Sequence, residues 1–358
     1  MQLVAAHMTP DKDASLASDA DIIAARDVKR YFRLPRTANI FKPGALIKAV
    51  DGVSFNVRKG ETFGLVGESG CGKTTVSKLI LNLDRPTAGD LSVVGHDVYA
   101  ISSEQRRRFR RDVQAVFQDP YGSLNPRHKV LEIIGEPMRL HYKLSGRPLR
   151  IKVQELLEMV GLHPEAVDQY PHEFSGGMRQ RLAIARAISV RPKLIVLDEP
   201  VSALDVSIRA QVLNILSDLQ EQLGLTYLFI AHDLAVVEYM SDRVGVMYLG
   251  SIVETASTEQ LYRRPRHPYT HALIKAASLT TKAGKGFKES SVKGDIPSPI
   301  NPPSGCRFHT RCPFARERCA NEIPQLQTIE PGHAVACHFH EEFNFQLQSD
   351  EQATRMAP

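Results

Sequence analysis

A glycine-rich loop constrains the fold of this 358-residue chain more than any other segment. Residues 67–74 read Gly-Glu-Ser-Gly-Cys-Gly-Lys-Thr and satisfy the pattern G-x-x-x-x-G-K-[ST] in full. Residues 61–66 before the loop form a strand-like apolar run, and residues 74–83 after it have helical spacing. Such a loop lets successive backbone N–H groups face phosphate oxygens, and the helix N-terminus adds positive potential. The segment therefore predicts a nucleoside triphosphate site on an α/β fold.

Side chains of this loop have separate expected tasks. Lys73 is expected to reach the β- and γ-phosphates of ATP, and the Thr74 hydroxyl is expected to bind Mg²⁺. The residues expected to hold ATP are Gly67, Glu68, Ser69, Gly70, Cys71, Gly72, Lys73, Thr74 and Thr75.

Two carboxylates end a second apolar run. Residues 194–197 suit a buried parallel strand, and Asp198 and Glu199 follow directly. A carboxylate at this point can hold Mg²⁺, and its neighbour can orient or deprotonate an attacking water. We expect Asp198 to support the metal of an ATP complex and Glu199 to be catalytic.

Two further strand ends carry polar side chains that suit the same chemistry. Gln118 follows residues 113–117, and its amide can bind Mg²⁺ and respond to the γ-phosphate. His232 follows residues 227–231, and its imidazole can donate to the γ-phosphate. Both residue types also occur at strand ends without any role, so these predictions depend on the other motifs.

A second anion cradle precedes a helix at residues 178–190. Ser175, Gly176 and Gly177 place a hydroxyl and two glycines before that helix. One triphosphate hardly needs two cradles from one chain. We therefore expect two such domains to dimerise, with each cradle contacting the ATP of the other.

Composition divides the chain into parts and argues against a membrane-spanning, secreted or nucleic-acid-binding protein. No apolar run approaches the ~20 residues of a membrane span, and the N-terminus lacks an apolar signal core. The net charge of +5 indicates a mixed solvated surface without a nucleic-acid partner. The expected parts are a disordered tail at 1–20, an ATPase domain at 21–278, a linker at 279–303, a cysteine-rich segment at 304–340 and a tail at 341–358.

Together these motifs resemble the nucleotide-binding domain of ABC transporters over about residues 22–275. The resemblance implies a P-loop NTPase fold with a helical subdomain, plus a small cysteine-containing C-terminal domain. It places Asp205 at the dimer seam and an adenine-stacking aromatic just after the first strand; Phe32 fits that spacing best and Tyr31 is the alternative. Met178 departs from the pattern, which usually has Gln there.

Four segments make the chain similar to the oligopeptide/dipeptide importer ATPases: residues 67–73, 118–126, 200–207 and 265–270. This similarity implies an ATP-binding subunit that drives peptide uptake from the cytoplasmic face of the bacterial inner membrane. It implies a paralogous ATPase partner, two transmembrane permease subunits and a periplasmic or lipid-anchored substrate-binding protein. Alternatives are an importer of nickel or another small solute, or a soluble ABC ATPase acting in translation or DNA repair.

Four cysteines lie close together near the C-terminus with the spacing Cys306-x5-Cys312-x6-Cys319-x17-Cys337. Four thiolates can hold zinc or an iron–sulfur cluster. Some peptide-importer ATPases carry a similar segment with a four-iron, four-sulfur cluster, so the resemblance implies a [4Fe-4S] cluster here. Zinc and metal-free thiols remain open, as do His309 and His338 as substitute ligands.

Overall fold

The protein is represented by a computed structural model that describes residues 21–34, 45–283, 294–343 and 345. The predicted tail at 1–20, most of the tail at 341–358 and part of the predicted linker lie outside these residues. Within them, no helix combines the length and the apolar composition that crossing a membrane requires.

The strands of the described part are, in chain order, β1 (Asp21–Arg33), β2 (Leu46–Arg58), β3 (Thr62–Val66), β4 (Ala88–Val93), β5 (His96–Asp97), β6 (Val113–Phe117), β7 (Leu194–Asp198), β8 (Thr226–Ile230), β9 (Arg243–Tyr248), β10 (Ser251–Ser257), β11 (Gln327–Glu330) and β12 (His333–Val335). The helices are α1 (Lys73–Ile80), α2 (Ser103–Asp112), α3 (Pro120–Ser123), α4 (Val130–Tyr142), α5 (Gly146–Met159), α6 (Gly176–Ile188), α7 (Val206–Leu223), α8 (Leu234–Met240), α9 (Thr258–Arg263), α10 (Pro268–Ala283) and α11 (Glu317–Asn321). Short 3-10 turns lie at Pro164–Asp168, Pro171–Glu173 and His340–Glu342.

The larger sheet has the order β11-β12-β10-β9-β3-β8-β7-β6, and the strands from β9 to β6 run parallel. Every residue of β3, β7 and β8 is buried. Successive side chains of a strand point to opposite faces, so Ile195 and Leu197 join one core while Leu194 and Val196 join the other. This arrangement confirms the predicted α/β class.

A smaller antiparallel sheet, β2-β1-β4-β5, packs over the face of the larger sheet that carries α1. Its strands β1 and β2 pair along their length. Residues 54–57, where apolar and polar side chains alternate, are the end of β2. This sheet and α1 enclose one of the two cores.

A group of helices from α3 to α6 is inserted between β6 and β7 and packs on the other core. The helix predicted at residues 178–190 begins earlier in the structure, at Gly176. For α6 the reason is a cap: the Ser175 hydroxyl accepts a hydrogen bond from the Met178 N–H and starts the helix there.

The cysteine-containing segment is attached to the same sheet, because β12 pairs with β10 and β11 pairs with β12. The fully buried Glu254 carboxylate anchors this region. It accepts hydrogen bonds from the backbone N–H groups of Arg266 (2.7 Å) and His267 (2.9 Å) and contacts His333 Nε2 at 2.8 Å. Helix α10 continues to Ala283, beyond the predicted domain end at residue 278.

Stability should fall in acid because of His267. Burial lowers the pKa of this histidine to about 4, and its Nδ1 accepts the Tyr269 N–H at 3.0 Å. An unfolded histidine titrates near ~6.5, so between these values the unfolded chain binds more protons and the free energy of unfolding falls as pH drops. We expect His267 to account for a loss of about 2 kcal/mol between pH 7 and pH 5.

Urea unfolding of wild type and His267→Asn at both pH values measures this loss. The asparagine oxygen can accept the Tyr269 N–H but does not titrate in this range. The His267→Asn variant should therefore lose less stability on acidification, whereas His128→Asn, which alters an exposed histidine, should behave like wild type. An equal acid loss in wild type and His267→Asn would contradict the assignment.

Helix α6 packs closely against α7 at Gly177. A Cβ at Gly177 would lie 2.2 Å from Ile208 Cγ2, whereas a Cβ at the neighbouring Gly176 would come no closer than 3.9 Å to Leu204 Cδ2. We expect Gly177→Ala to lower the free energy of unfolding by about 1–3 kcal/mol through overpacking. Gly176→Ala should stay within about 0.5 kcal/mol of wild type.

Denaturant unfolding of Gly176→Ala, Gly177→Ala, Ile208→Ala and the double variant Gly177→Ala/Ile208→Ala separates overpacking against Ile208 from other effects of the added methyl group. Removing Cγ2 should make the cost of Gly177→Ala smaller in the Ile208→Ala background. Equal costs in the two backgrounds would show that contact with Ile208 is not the reason for the glycine.

Candidate active site

Four neighbouring parallel strands end at one edge of the larger sheet. Their register places Phe117 of β6 opposite Asp198 of β7, Asp198 opposite Ile230 of β8, and Ile230 opposite Leu65 of β3. The residues that follow these ends therefore meet at one edge. They are the glycine-rich loop after β3, Gln118 after β6, Glu199 after β7 and His232 after β8.

At two positions of the loop, the backbone conformation requires glycine. Gly67 has φ 153°, and a Cβ there would lie 2.1 Å from the Met247 carbonyl oxygen. Gly72 has φ 113°, and its Cβ would lie 2.3 Å from the Ala49 carbonyl oxygen. Helix α1 begins at the next residue, Lys73, so its N-terminal N–H groups face the loop.

The Lys73 side chain is buried inside the curl of the loop. Its Nζ donates to the carbonyl oxygens of Gly67 at 2.7 Å and Glu68 at 3.1 Å. Cys71 Sγ lies 3.8 Å from the same nitrogen, and burial raises the pKa of this thiol. Cys71 thus belongs to the loop, and the Lys73 ammonium lies where it can neutralise an anion bound there.

Glu199 is held in a left-handed backbone conformation with φ 52°. Its N–H donates to the Ile230 carbonyl oxygen at 2.8 Å, and the Ser202 hydroxyl donates to the Glu199 carbonyl oxygen at 3.1 Å. Its carboxylate contacts His232 Nδ1 at 3.2 Å. Such strain in a non-glycine residue persists where surrounding contacts enforce it, and it is common at functional sites.

Asp198 lies beside Glu199 in a buried position. Burial raises the pKa of Asp198, and the nearby negative charge of Glu199 raises it further. A bound cation would relieve this electrostatic strain. A cavity of about 880 Å³ joins Asp198 and Glu199 to Thr74 and Gln118. Hydroxyl, amide and carboxylate oxygens on one cavity are the ligand types that suit Mg²⁺.

The second cradle lies apart from this cavity. Ser175 and Gly176 are exposed at the start of α6, whereas Gly177 is buried against Ile208. None of the three lines the cavity that joins Thr74 to Glu199. The chain on its own therefore leaves Ser175 and Gly176 facing solvent.

The two aromatic residues considered for adenine lie inside β1, which continues to Arg33, so the expectation that they follow the strand is wrong. Pairing with β2 extends the strand past them. The Tyr31 hydroxyl donates to Asp51, and burial raises the pKa of Tyr31 to about 12. The Arg30 guanidinium lies 4.4 Å from the Phe32 ring centroid.

The four C-terminal cysteines line one small cavity. Burial raises the pKa of Cys306 to about 11 and of Cys337 to about 12, and it also raises the pKa of Cys312. In the described part of the chain, no three His, Cys, Asp or Glu side chains are placed to share one metal ion.

The two histidines considered as substitute ligands also line this cavity. His309 Nδ1 lies 2.9 Å from the Cys306 carbonyl oxygen, and His338 Nε2 lies 2.9 Å from the Glu322 carbonyl oxygen. In each ring, one nitrogen therefore lies at hydrogen-bond distance from a backbone carbonyl oxygen.

Sequence reasoning missed two residues that hold the phosphate loop. Arg311 binds both carboxylate oxygens of Glu68, and the Glu68 N–H donates to the Tyr269 hydroxyl at 3.0 Å. Tyr269 belongs to the segment 265–270 that carries part of the resemblance, so a signal existed for it. No sequence pattern indicates Arg311.

Comparisons with known proteins agree with this geometry. Residues 50–202 match the protein family described as ABC transporter, and residues 253–319 match the family described as oligopeptide/dipeptide transporter, C-terminal region.

Curated relatives match nearly the whole chain. It is 51% identical over 326 residues to the oligopeptide transport ATP-binding protein AppF of Bacillus subtilis, covering 90% of this chain and 99% of AppF. It is 47% identical over 322 residues to the di/tripeptide transport ATP-binding protein DppF of Pseudomonas aeruginosa, covering 90% of this chain and 98% of DppF.

Among solved structures, the dimeric post-hydrolysis ATP-binding cassette MJ0796 bound to ADP and Pi matches with a TM-score of 0.58 and 28% identity. The match covers 66% of this chain and 98% of that chain. The chain therefore belongs to the ABC transporter family, as an ATP-hydrolysing member of its oligopeptide/dipeptide group.

Proposed function

We propose that this chain powers the import of oligopeptides or dipeptides by hydrolysing ATP at the edge formed by β3, β8, β7 and β6. The observation that carries this proposal is the meeting of Lys73, Gln118, Asp198, Glu199 and His232 at that edge. The peptide cargo is supported by the names of AppF and DppF. These names favour transport over a soluble role in translation or DNA repair.

In this mechanism the loop N–H groups and Lys73 bind the phosphates of ATP. Thr74, Gln118 and Asp198 would hold Mg²⁺, which neutralises charge on the phosphates when bound. Glu199 accepts the proton of the attacking water. His232, whose Nδ1 lies 3.2 Å from the Glu199 carboxylate, steadies the γ-phosphate.

A second subunit completes this proposed site. Ser175 to Gly177 would contact the ATP of the partner, because the N-terminus of α6 presents N–H groups to solvent away from its own cavity. Asp205 would lie at the seam between the subunits. Phe32 is the better candidate to stack on adenine, since the Tyr31 hydroxyl is held by Asp51.

The proposed assembly contains a paralogous ATPase, two transmembrane permease subunits and a substrate-binding protein that is periplasmic or lipid-anchored. The ATPase pair would sit peripherally on the cytoplasmic face of the inner membrane. ATP would close the pair, and hydrolysis would let it part. The α/β ATPase domain is assigned to residues 21–278, and the cysteine segment to 304–340.

Replacing the proposed base tests the chemistry. Glu199→Gln should bind ATP with near wild-type affinity and lose at least about 100-fold in turnover, because the amide cannot accept the proton of water. Phosphate release and equilibrium ATP binding measure the two effects separately.

Glu259→Gln is the matched control, since Glu259 is an exposed glutamate on α9 and should keep wild-type turnover. Near-normal hydrolysis by Glu199→Gln would refute the assignment of the base.

The four cysteines are proposed to hold a [4Fe-4S] cluster. Support comes from their shared cavity and from backbone hydrogen bonds to three of the thiols, donated by Phe308, Phe314 and Phe339. Such donors stabilise thiolates that bind metal.

Anaerobic purification of the full chain tests this proposal through iron and acid-labile sulfide content and visible absorbance. Wild type should be coloured and contain iron and sulfide. Cys319→Ser should lose them, whereas Cys71→Ser should retain them because Cys71 lies in the phosphate loop. A colourless wild-type protein without iron, with or without zinc, would contradict the cluster.

A further inference from the structure

We infer that Arg311 is a positioning residue for the phosphate loop, through which the affinity for ATP depends on the cysteine segment. The inference rests on the proposed binding of ATP at that loop. It concerns a contact between two parts of the chain that are 243 residues apart.

The contact is a buried, two-pronged ion pair. Arg311 Nη1 lies 2.6 Å from Glu68 Oε2, and Nη2 lies 3.0 Å from Oε1. The side chains of Arg311 and Glu68 are 3% and 11% exposed, respectively. Arg311 Nη1 also lies 3.3 Å from the Tyr248 hydroxyl. A bidentate arginine–carboxylate pair fixes the direction of both groups as well as their separation.

The charge of Glu68 explains why the loop needs this partner. Glu68 belongs to the loop that is expected to surround the triphosphate, and an uncompensated carboxylate there would repel the phosphates. Little water reaches the pair, so screening of that repulsion is weak. Arg311 supplies the compensating charge from the cysteine segment.

The backbone of Glu68 makes the same residue important for loop shape. Its carbonyl oxygen accepts a hydrogen bond from Lys73, and its N–H donates to the Tyr269 hydroxyl. Movement of the Glu68 side chain would therefore disturb the residue that positions the Lys73 ammonium. Arg311 thus acts on ATP through Glu68 and Lys73.

A second arginine of the segment supports the coupling. Arg307 donates to the Leu249 carbonyl oxygen and to Asp51, and Asp51 also accepts the Tyr31 hydroxyl. The segment therefore also reaches the strand that carries Phe32. Both Arg307 and Arg311 lie between Cys306 and Cys312, so the geometry of the cysteine site sets where both guanidinium groups lie.

Other contacts attach the segment to the domain. Strand β12 pairs with β10, and His333 contacts the buried Glu254. Replacing Arg311 should therefore leave the segment docked while removing its charge from the loop. The effect of the Arg311 charge on ATP binding can therefore be measured without undocking the segment.

Equilibrium ATP binding to the full chain tests the inference with Arg311→Met, which keeps the apolar stem and removes the charge. We expect the Kd for ATP to rise about 10-fold in Arg311→Met. Glu68→Gln serves as the reference background because Glu68 belongs to the binding loop, and Glu68→Gln/Arg311→Met should recover most of the affinity lost in Arg311→Met. Arg311→Lys, which keeps the charge, should fall between wild type and Arg311→Met.

Arg316→Met is the matched control, because Arg316 lies in the same segment but pairs with the half-exposed Glu342. It should bind ATP like wild type. Recovery by Glu68→Gln identifies charge compensation as the cause, since general damage to the segment would not be repaired by an amide in the loop.

Two outcomes would overturn the inference: binding by Arg311→Met within about twofold of wild type, or a double variant as weak as Arg311→Met. A wild-type chain that binds no ATP would overturn the proposed function, and the inference with it. If Arg311→Met does not fold, Arg311→Lys and the double variant carry the test. Weaker ATP binding by Arg311→Lys than by wild type, with most of the affinity kept in the double variant, supports the inference, and equal affinities in Arg311→Lys and wild type overturn it.

Discussion

The rest of this structure depends on the parallel register of β3, β8, β7 and β6. Hydrogen bonding between these strands brings their carboxyl ends to one edge, and complete burial of β3, β7 and β8 prevents slippage. One edge therefore gathers the phosphate loop, a pair of carboxylates, an amide and an imidazole. Residues more than 100 positions apart become one site because of a backbone constraint.

Around that edge, the protein shields several charged groups from water and compensates some of them within the chain. Lys73 is buried against loop carbonyl oxygens, and Glu68 is paired with Arg311. Asp198 and Glu199 place negative charge where a cation and a triphosphate are expected together. The charges around the expected nucleotide site are thus already partly balanced within the chain.

The cysteine segment takes part in this balance. Its strands extend the larger sheet, its cysteines share a cavity, and Arg307 and Arg311 pair with Asp51 and Glu68 of the ATPase domain. The cysteine segment thus contacts residues that are proposed to form the ATP site. The proposed cluster and the proposed effect of the segment on ATP affinity are therefore connected through Arg307 and Arg311.

The loop, Asp198, Glu199, Gln118 and His232 could be predicted from the sequence, because each stands in a local motif after an apolar strand. Strand and helix chemistry act over a few residues, so such motifs can be read without coordinates. Tertiary structure decided the burial of Gly177 against Ile208, the pairing of Tyr31 with Asp51 and the pairing of Arg311 with Glu68. These contacts join residues distant in the chain, and no local pattern fixes which distant side chain a charge or a close approach will meet.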